Sequence, residues 1–249
     1  MKNLETKEKE RYSRHFILEG LGETGQKKLK NAKVLIVGVG GLGSPLSLYL
    51  SAAGIGEIGL MDDDVVSESN LQRQILYNTA DIGMSKVKIA GKKLSALNPY
   101  TKFNLYNHRL TEENALETIK NYDIVMDGCD NLFTRYIIND ACVKLDKIYV
   151  YGAIQEFSGQ VSVFNYNGGP TYRCFLPYDE SRKTFTQPLG VLGVLPGMTA
   201  TIQANEAIKI ITGLGQPLSG KLLLIDTLDT DFEKIKFERV AGYDRDLLV

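Results

Sequence analysis

A buried strand that breaks into a glycine-rich turn is the feature that most constrains this chain. The apolar run 34–37 precedes a helix expected from about Ser44, and the turn between them carries Gly38, Gly40, Gly41 and Gly43. Glycine lets a backbone turn tightly and approach a phosphate, and the N-terminus of a helix attracts negative charge. A second apolar run ends at Asp62, where a carboxylate could accept the ribose hydroxyls of ATP or of NAD. The pattern therefore predicts a nucleotide site.

Strand and helix patterns alternate from residue 32 to about residue 153. The predicted strands cover 33–37, 57–61, 102–106, 123–127 and 148–151. Helices lie between them, with Ser85 and Thr111 as expected caps. This alternation predicts an α/β fold with a Rossmann-like, mostly parallel sheet flanked by helices.

The second half of the chain has a different pattern. A strand over 159–165 is followed by a loop over 167–193, expected to be mobile, and by a helix from about Thr199 to Thr212. Two further strands, 221–227 and 232–239, have no helix between them and predict an antiparallel extension of the sheet. We expect one domain over 1–249, comprising an N-terminal helical segment 1–31, a nucleotide-binding half 32–153 and a second half 154–249.

Composition excludes several classes of function. The formal net charge of −1, without a dense basic block, gives no reason to expect binding to nucleic acid. No apolar run nears the roughly 20 residues that span a bilayer, so no membrane association is expected. The three cysteines, Cys129, Cys142 and Cys174, are too far apart for a CxxC pair and predict a reducing, cytoplasmic location.

Charged residues beyond the turn favour ATP over NAD. Arg73 and Lys86 could together neutralise a triphosphate, for which a dehydrogenase has little use. Asp130 follows the strand 123–127 and could hold Mg²⁺ through oxygen. Each residue also has a structural alternative. Lys86 could belong to a solvated lysine run, Arg73 to a surface ion pair, and Asp130 could cap the helix 131–145.

The order and spacing of these motifs resemble the MoeB/ThiF/HesA family of ubiquitin-activating-enzyme-like adenylyltransferases. The resemblance covers about residues 11–237 and is carried by Arg11-Tyr12-Ser13-Arg14, Gly38 to Gly43, Asp62 with Asp64, Ser69 to Gln74, Lys86, Asp127 to Asn131, 159–161, 172–174 and 203–209. It implies a homodimeric enzyme that uses ATP and Mg²⁺ to adenylate the C-terminal glycine of a small ubiquitin-like sulfur carrier ending in Gly-Gly. Pyrophosphate is the second product, the pathway is thiamine or molybdopterin synthesis, and the half 154–249 would bind the carrier.

The resemblance also implies roles for individual residues. Four residues would be catalytic: Arg14, Arg73, Lys86 and Asp130. Asp130 would hold magnesium, and Arg14 would reach the nucleotide of the other subunit. Asp62 would hold the ribose, and Asn70 and Gln74 would join Arg73 and Lys86 at the phosphates. Further nucleotide contacts would come from Gly38, Gly40, Gly41, Gly43, Asp64, Ser69, Leu71, Gln72 and Asn131.

This chemistry needs no general base. A C-terminal carboxylate has a pKa of about 3.3–3.7, so it is ionised at neutral pH and can attack the α-phosphorus directly. The only histidines are His15 and His108, and neither is required. Three other functions stay open: adenylation of a ribosomal peptide or another carrier in natural-product synthesis, an NAD-dependent oxidoreductase, and a non-catalytic dimeric binding module.

The sequence departs from the family at its cysteines. Many relatives bind zinc with two CxxC pairs, but here the first pair reads Thr171-Tyr172-Arg173-Cys174 and the tail 240–249 has none. The tail should therefore hold by packing alone. Many relatives also carry a cysteine in the long loop, and that position falls near Thr186, whose hydroxyl is a poor substitute for a thiolate. We therefore expect no internal thioester and a separate sulfur donor.

The missing cysteine pairs predict that the protein holds no stoichiometric zinc. Elemental analysis of protein purified without added metal should find a substoichiometric zinc content, because a single thiolate cannot build a four-ligand site. A full equivalent of zinc that survives a chelator would contradict this reading.

Overall fold

The computed structural model describes residues 3–180, 190–243 and 247–249. Its strands are β1 (Lys33–Val37), β2 (Glu57–Met61), β3 (Lys102–Tyr106), β4 (Ile124–Asp127), β5 (Ile148–Gln155), β6 (Ser158–Phe164), β7 (Lys221–Asp226) and β8 (Asp231–Lys236). They form one eight-stranded sheet in the order β3-β2-β1-β4-β5-β6-β7-β8. The pairs from β3 to β5 are parallel, and those from β5 to β8 are antiparallel. The predicted fold class is confirmed.

Helices cover both faces of this sheet. They are α1 (Thr6–Arg11), α2 (Ser13–Phe16), α3 (Gly22–Asn31), α4 (Gly43–Ala53), α5 (Lys86–Leu97), α6 (Ala115–Ile119), α7 (Leu132–Lys144), α8 (Tyr172–Phe175) and α9 (Val194–Thr212). Alternate side chains of β1 enter two different cores, because successive strand residues point to opposite faces. Val34 and Ile36 pack in the core with α4, α5 and α9, and Leu35 and Val37 pack in the core with α6 and α7.

Several predicted boundaries were wrong. Helix α9 begins at Val194 and not near Thr199, because Pro196 lies in the first turn, where its missing N–H costs no hydrogen bond. Strand β5 runs four residues beyond 151, to Gln155, where it enters a hairpin with β6. The short helix α8 lies within the predicted loop 167–193, while residues 181–189, including the Thr186 position, lie outside the described residues.

Of the two expected caps, Ser85 is at the predicted N-cap position and Thr111 is not. Ser85 occupies the N-cap position of α5 but makes no capping hydrogen bond, because its hydroxyl donates to Asn107 Oδ1 over 2.7 Å. The cap of α6 is Asn114 and not Thr111.

Hydrogen bonds, and not packing alone, hold the C-terminal tail. The Arg239 guanidinium donates to the carbonyl of Gly168 over 3.2 Å, and the Val240 N–H donates to Cys174 Sγ over 3.4 Å. The Leu248 N–H donates to the buried Asp140 carboxylate over 2.9 Å. The expectation that the tail depends on packing alone was therefore wrong. Among the helices that the structure describes, none is long and apolar enough to cross a membrane.

The turn between β1 and α4 brings three backbone segments together. Gly38 has φ +87°, and a Cβ at this position would lie 2.4 Å from the carbonyl oxygen of Gly128, just after β4. A Cβ on Gly43 would lie 2.0 Å from the carbonyl oxygen of Gly38. At Gly40 the nearest atom would be Gln74 Nε2 at an ordinary 3.5 Å. Packing therefore requires glycine at 38 and 43, whereas no described protein atom requires it at 40.

We predict that Gly43→Ala destabilises the fold by about 1–3 kcal/mol, because the new methyl group must displace backbone and not a flexible side chain. Gly40→Ala is the matched control, and its free energy of unfolding should stay close to that of the parent. Urea unfolding of the three proteins tests this. Equal losses in both variants would contradict the packing explanation.

Candidate nucleotide site

The candidate site lies at the carboxyl ends of β1, β2 and β4. In an open parallel sheet, ligands bind in the crevice where the strand order reverses. Here that point is between β1 and β4, since β2 and β3 extend the sheet on one side and β5 on the other. The glycine turn follows β1, Asp62 follows β2 and the segment 128–131 follows β4. The topology thus brings together the segments that the sequence singled out.

Two backbone N–H groups fix the carboxylate of Asp62. Its Oδ2 accepts from the N–H of Val39, inside the glycine turn, over 2.8 Å, and its Oδ1 accepts from the N–H of Asp64 over 2.9 Å. Burial raises the pKa of Asp62, and the nearby Lys86 ammonium opposes that rise. The side chain is partly exposed, so the carboxylate is held in one orientation and is still accessible.

Lys86 is a buried cation and not part of a solvated face. Its side chain is 5% exposed, and its Nζ lies 2.8 Å from Asp64 Oδ2, whose own side chain is 56% exposed. Its N–H also donates to the backbone carbonyl of Asp64 over 3.0 Å. The alternative that Lys86 belongs to a solvated run is wrong, although Lys88 on the same helix is exposed. A cation is therefore held beside Asp62 at the end of β2.

The segment after β2 presents Arg73 beside the glycine turn. A 3₁₀ turn, Glu68–Asn70, is closed by the Asn70 side chain, which accepts from the Ser67 N–H over 3.4 Å. The Arg73 guanidinium donates to the Ser69 carbonyl over 3.0 Å, and no carboxylate of the described ranges lies within 4.0 Å of it. Arg73 therefore forms no surface ion pair within the described ranges, which was the alternative role for this residue.

The remaining residues of this segment differ in their surroundings. Leu71 packs against the hydrophobic core, and Gln72 lies against Gly193 at the start of α9. Gln74 is buried, and its Oε1 has no hydrogen-bond partner among the described residues. A buried amide beside Gly40 with an unsatisfied oxygen is costly, so a bound ligand or water is expected to satisfy it.

Asp130 is free of the capping role that was its alternative. Asn131 is the N-cap of α7, and its Oδ1 accepts from the Thr134 N–H over 2.9 Å. Asp130 is exposed, and its nearest described polar contact is Asn131 Nδ2 at 3.5 Å. The carboxylate therefore faces solvent at the carboxyl end of β4.

Arg14 lies on an anchored helix but has no hydrogen bond or ion pair with the other candidate site residues that the structure describes. Tyr12 is buried and its hydroxyl accepts from Asn98 Nδ2 over 2.8 Å, while His15 Nδ1 lies 2.7 Å from Gln26 Oε1. Arg14 is exposed between these anchors, and within the described residues it has no hydrogen bond or ion pair. The structure thus fixes the helix of Arg14 but does not bring its guanidinium to the glycine turn.

The sequence reasoning missed two arginines near the site. Arg109, just beyond β3, lies with its Nε 2.8 Å from Asp63 Oδ2, and the same rule about strand ends could have found it. Arg135 is buried on α7 and paired with Asp127 over 3.1 Å. No sequence signal beyond its place after the quoted Asp127 motif indicated that pairing.

The surroundings of two of the three cysteines, Cys129 and Cys142, disfavour the thiolate. Burial, together with the adjacent Asp127 carboxylate, raises the pKa of Cys129, whose Sγ donates to Asp127 Oδ1 over 2.8 Å. Burial also raises the pKa of Cys142. Cys174 Sγ lies 3.4 Å from Thr171 Oγ1 and accepts from the tail at Val240.

Comparison with known proteins agrees with this geometry. The "probable molybdopterin-synthase adenylyltransferase" of Porphyra purpurea is 50% identical over 229 residues, which are 91% of this chain and 60% of that protein. The "sulfur carrier protein adenylyltransferase" of Thermus thermophilus is 46% identical over 242 residues, which are 94% of this chain and 89% of that protein. A crystal structure of E. coli MccB with ATP has a TM-score of 0.82 at 25% identity, covering 93% of this chain and 72% of that chain.

These similarities support different conclusions about this chain. This chain spans only 60% of the Porphyra purpurea protein, so that protein's activity and partners do not come with the likeness. The sequence model of the ThiF family matches residues 12–242, from the helices around Arg14 to the C-terminal tail. The resemblance in the motifs is confirmed, and the chain belongs to the ThiF family.

Proposed function

We propose that this protein uses ATP and Mg²⁺ to adenylate the C-terminal glycine of a small ubiquitin-like sulfur carrier. The observation that carries the proposal is the buried Lys86 ammonium, which is paired with Asp64 and opposes the rise that burial causes in the pKa of the nearby Asp62 carboxylate, itself fixed by the glycine turn. Relatives named as adenylyltransferases of molybdopterin synthase and of a sulfur carrier protein support the same substrate class. The pathway is molybdopterin or thiamine synthesis.

The charges around the turn suit a triphosphate better than a dinucleotide. Lys86 supplies a cation with little exposure to water, and Arg73 supplies a second at the rim. Asp62 would hold the ribose hydroxyls, and Asn70 and Gln74 would complete the phosphate contacts. An NAD-dependent oxidoreductase would have little use for these cations, and the sequence offers no obvious hydride-transfer acid.

Asp130 fits the magnesium that accompanies ATP. It is an exposed carboxylate at the same edge of the sheet, and oxygen is the ligand that this ion prefers. Asp63 and Asp64 are already paired with Arg109 and Lys86 over 2.8 Å each, which leaves Asp130 as the better ligand. Bound there, magnesium would neutralise charge on the phosphates.

The reaction follows from positioning and charge. A carboxylate oxygen of the carrier attacks the α-phosphorus, and the bond from that phosphorus to the bridging oxygen of the β-phosphate breaks. The electron pair leaves with pyrophosphate, so no proton has to move. Arg14, Arg73 and Lys86 would stabilise the charge that develops on the phosphate oxygens, which is the main catalytic term in phosphoryl transfer.

Several features of the assembly belong to the same proposal. Arg14 is exposed beside the apolar Ile17 and Leu18, whose exposed fractions are 74% and 53%, which suits a homodimer face. The raised pKa of Cys129 and of Cys142 supports a separate sulfur donor. We further propose a single domain, a cytoplasmic location and no zinc. Adenylation of a ribosomal peptide or another carrier remains the alternative, because no residue here identifies the carrier.

The proposal predicts carrier-dependent exchange of labelled pyrophosphate into ATP. Lys86→Ala and Asp130→Ala should each lower the exchange rate at least about 100-fold, since each removes a charge that stabilises the transition state. Lys88→Ala is the matched control on the exposed face of the same helix and should exchange like the parent. Undiminished exchange in both site variants, with unchanged thermal unfolding, would refute the site assignment.

A second prediction tests whether Arg14 acts across the dimer. Arg14→Ala and Lys86→Ala should each be nearly inactive, because an arginine supplied by a partner is worth roughly 10³–10⁵ in rate in other phosphoryl-transfer enzymes. Mixing the two variants under subunit exchange should restore a fraction of the parent activity, since one site of each heterodimer then holds both residues. If heterodimers form by mass spectrometry and no activity returns, Arg14 acts in its own subunit or not at all.

A further inference from the structure

A buried ion pair lies at the end of β4, three residues before the candidate magnesium ligand Asp130. Asp127 is the last residue of β4 and has no exposed surface, and its Oδ2 lies 3.1 Å from Arg135 Nε on α7. The Tyr149 hydroxyl donates to the same oxygen over 2.7 Å. Burial alone would lower the pKa of Arg135, but the Asp127 carboxylate raises that pKa above its ordinary value. Burying two charges is costly, and apolar residues often stabilise a fold as well or better. The pair therefore calls for an explanation beyond stability.

The two members of the pair hold both backbone polar groups of Cys129. Its N–H donates to Asp127 Oδ1 over 3.1 Å, and its carbonyl accepts from Arg135 Nη2 over 3.1 Å. The preceding residue, Gly128, donates its N–H to the carbonyl of Val37 on β1 over 2.8 Å. Since Cys129 immediately precedes Asp130, the ion pair fixes the backbone from which the Asp130 carboxylate projects.

The same pair is also restrained by β5 and by α9. Arg135 Nη2 also lies 3.4 Å from the carbonyl of Gly152 on β5, and its guanidinium stands 5.4 Å from the centre of the Tyr151 ring. Gln203 on α9 donates through Nε2 to the backbone carbonyl of Asp127 over 2.9 Å. Two elements besides β4 and α7, namely β5 and α9, therefore restrain the pair, and its position is set by these elements and not by the loop.

We infer that Asp127 and Arg135 are positioning residues that hold Asp130 in the orientation that receives magnesium with ATP. The inference rests on the proposed function, because it assigns the ion to Asp130. Neither residue need touch the nucleotide, since both act through the backbone of Cys129. Partners that orient a metal ligand typically change metal affinity or activity by 10–100-fold when they are mutated. Loosening the pair should therefore weaken the magnesium-dependent part of ATP binding.

The chain contains a second buried pair that serves as a control. Arg173 donates to Asp140 through Nε over 2.7 Å and through Nη2 over 2.5 Å, and both side chains are buried. This pair joins α8 to α7 and receives the tail at Leu248, and none of these hydrogen bonds reaches the segment 128–131. Replacing either Arg135 or Arg173 by lysine keeps the positive charge but removes the planar guanidinium, which can donate several hydrogen bonds at once.

The experiment measures ATP affinity by calorimetry, once with excess Mg²⁺ and once with EDTA. The ratio of the two affinities isolates the contribution of the ion and needs neither carrier nor turnover. Arg135→Lys should reduce that ratio by about tenfold or more while its affinity in EDTA stays near that of the parent. Arg173→Lys should keep the parent's ratio, even if its unfolding temperature falls by as much as that of Arg135→Lys or by more. For Asp130→Asn, the ratio of the two affinities should fall to about one.

A gentler variant covers the case in which Arg135→Lys does not fold. Tyr149→Phe removes one hydrogen bond from Asp127 and leaves every charge in place, and it should reduce the ratio in the same direction by a smaller factor. In the exchange assay, excess Mg²⁺ should rescue Arg135→Lys or Tyr149→Phe but not Asp130→Asn.

The possible failures are distinguishable. If Asp130→Asn keeps the parent's ratio, the proposed magnesium ligand is wrong. Suppose instead that the ratio falls to about one in Asp130→Asn but stays at the parent's value in folded Arg135→Lys and Tyr149→Phe. The positioning role is then wrong, and the proposed function stands. An equal loss in Arg173→Lys would also overturn the inference, because it would reveal a general effect of stability.

Discussion

The close approach of backbone at the ends of β1 and β4 is the constraint on which the rest of the structure depends. A Cβ at Gly38 would lie 2.4 Å from the carbonyl of Gly128, and a Cβ at Gly43 would lie 2.0 Å from the carbonyl of Gly38. Only a backbone without side chains at these points lets α4 begin directly above β1 while the segment after β4 lies alongside. The N-terminus of α4, the Asp62 carboxylate and the Asp130 loop consequently meet in one crevice.

Around this crevice the charges divide into two groups. Asp62, Lys86 and the Asp127–Arg135 pair are held by partners that the structure describes, so their positions are set before any ligand arrives. Arg73 and Asp130 are accessible to solvent and have no ion-pair partner in the described ranges. The held charges preorganise the site, and the two without an ion-pair partner are available to a triphosphate and its metal, which agrees with catalysis by electrostatics in the absence of a general base.

Much of this arrangement could be predicted from the sequence, because apolar runs indicate buried strands and glycines indicate tight turns. The strands 33–37, 57–61 and 102–106 agree with the structure residue for residue. The side chains of the first two are buried on both faces of the sheet, and those of the third, at the sheet edge, are only partly buried. The carboxyl-end rule then brought Asp62 and Asp130 to one edge. The start of α9 at Val194 was missed because Pro196 in a first turn cannot be told from a helix-breaking proline by sequence alone.

Other features depend on contacts between distant residues, which no local pattern contains. The burial of Lys86 follows from the fold around β2 and the glycine turn, and a lysine among other lysines offers no sign of it. Whether Asp130 or Asn131 caps α7 is decided by a shift of one residue, and the choice of Asn131 is what leaves Asp130 exposed. The pairing of Asp127 with Arg135 joins a strand to the next helix, and only their shared burial reveals it.

Following the label of ATP into the product tests the central claim most directly. The purified protein would be incubated with Mg²⁺, a Gly-Gly-ending carrier and ATP labelled at either the α- or the γ-phosphate, and the carrier would be examined by mass spectrometry and for bound label. The account predicts that the carrier gains an adenylyl group at its C-terminal glycine, with label from the α-phosphate alone, and that pyrophosphate is released. Label from the γ-phosphate on the carrier, or release of phosphate in place of pyrophosphate, would contradict it.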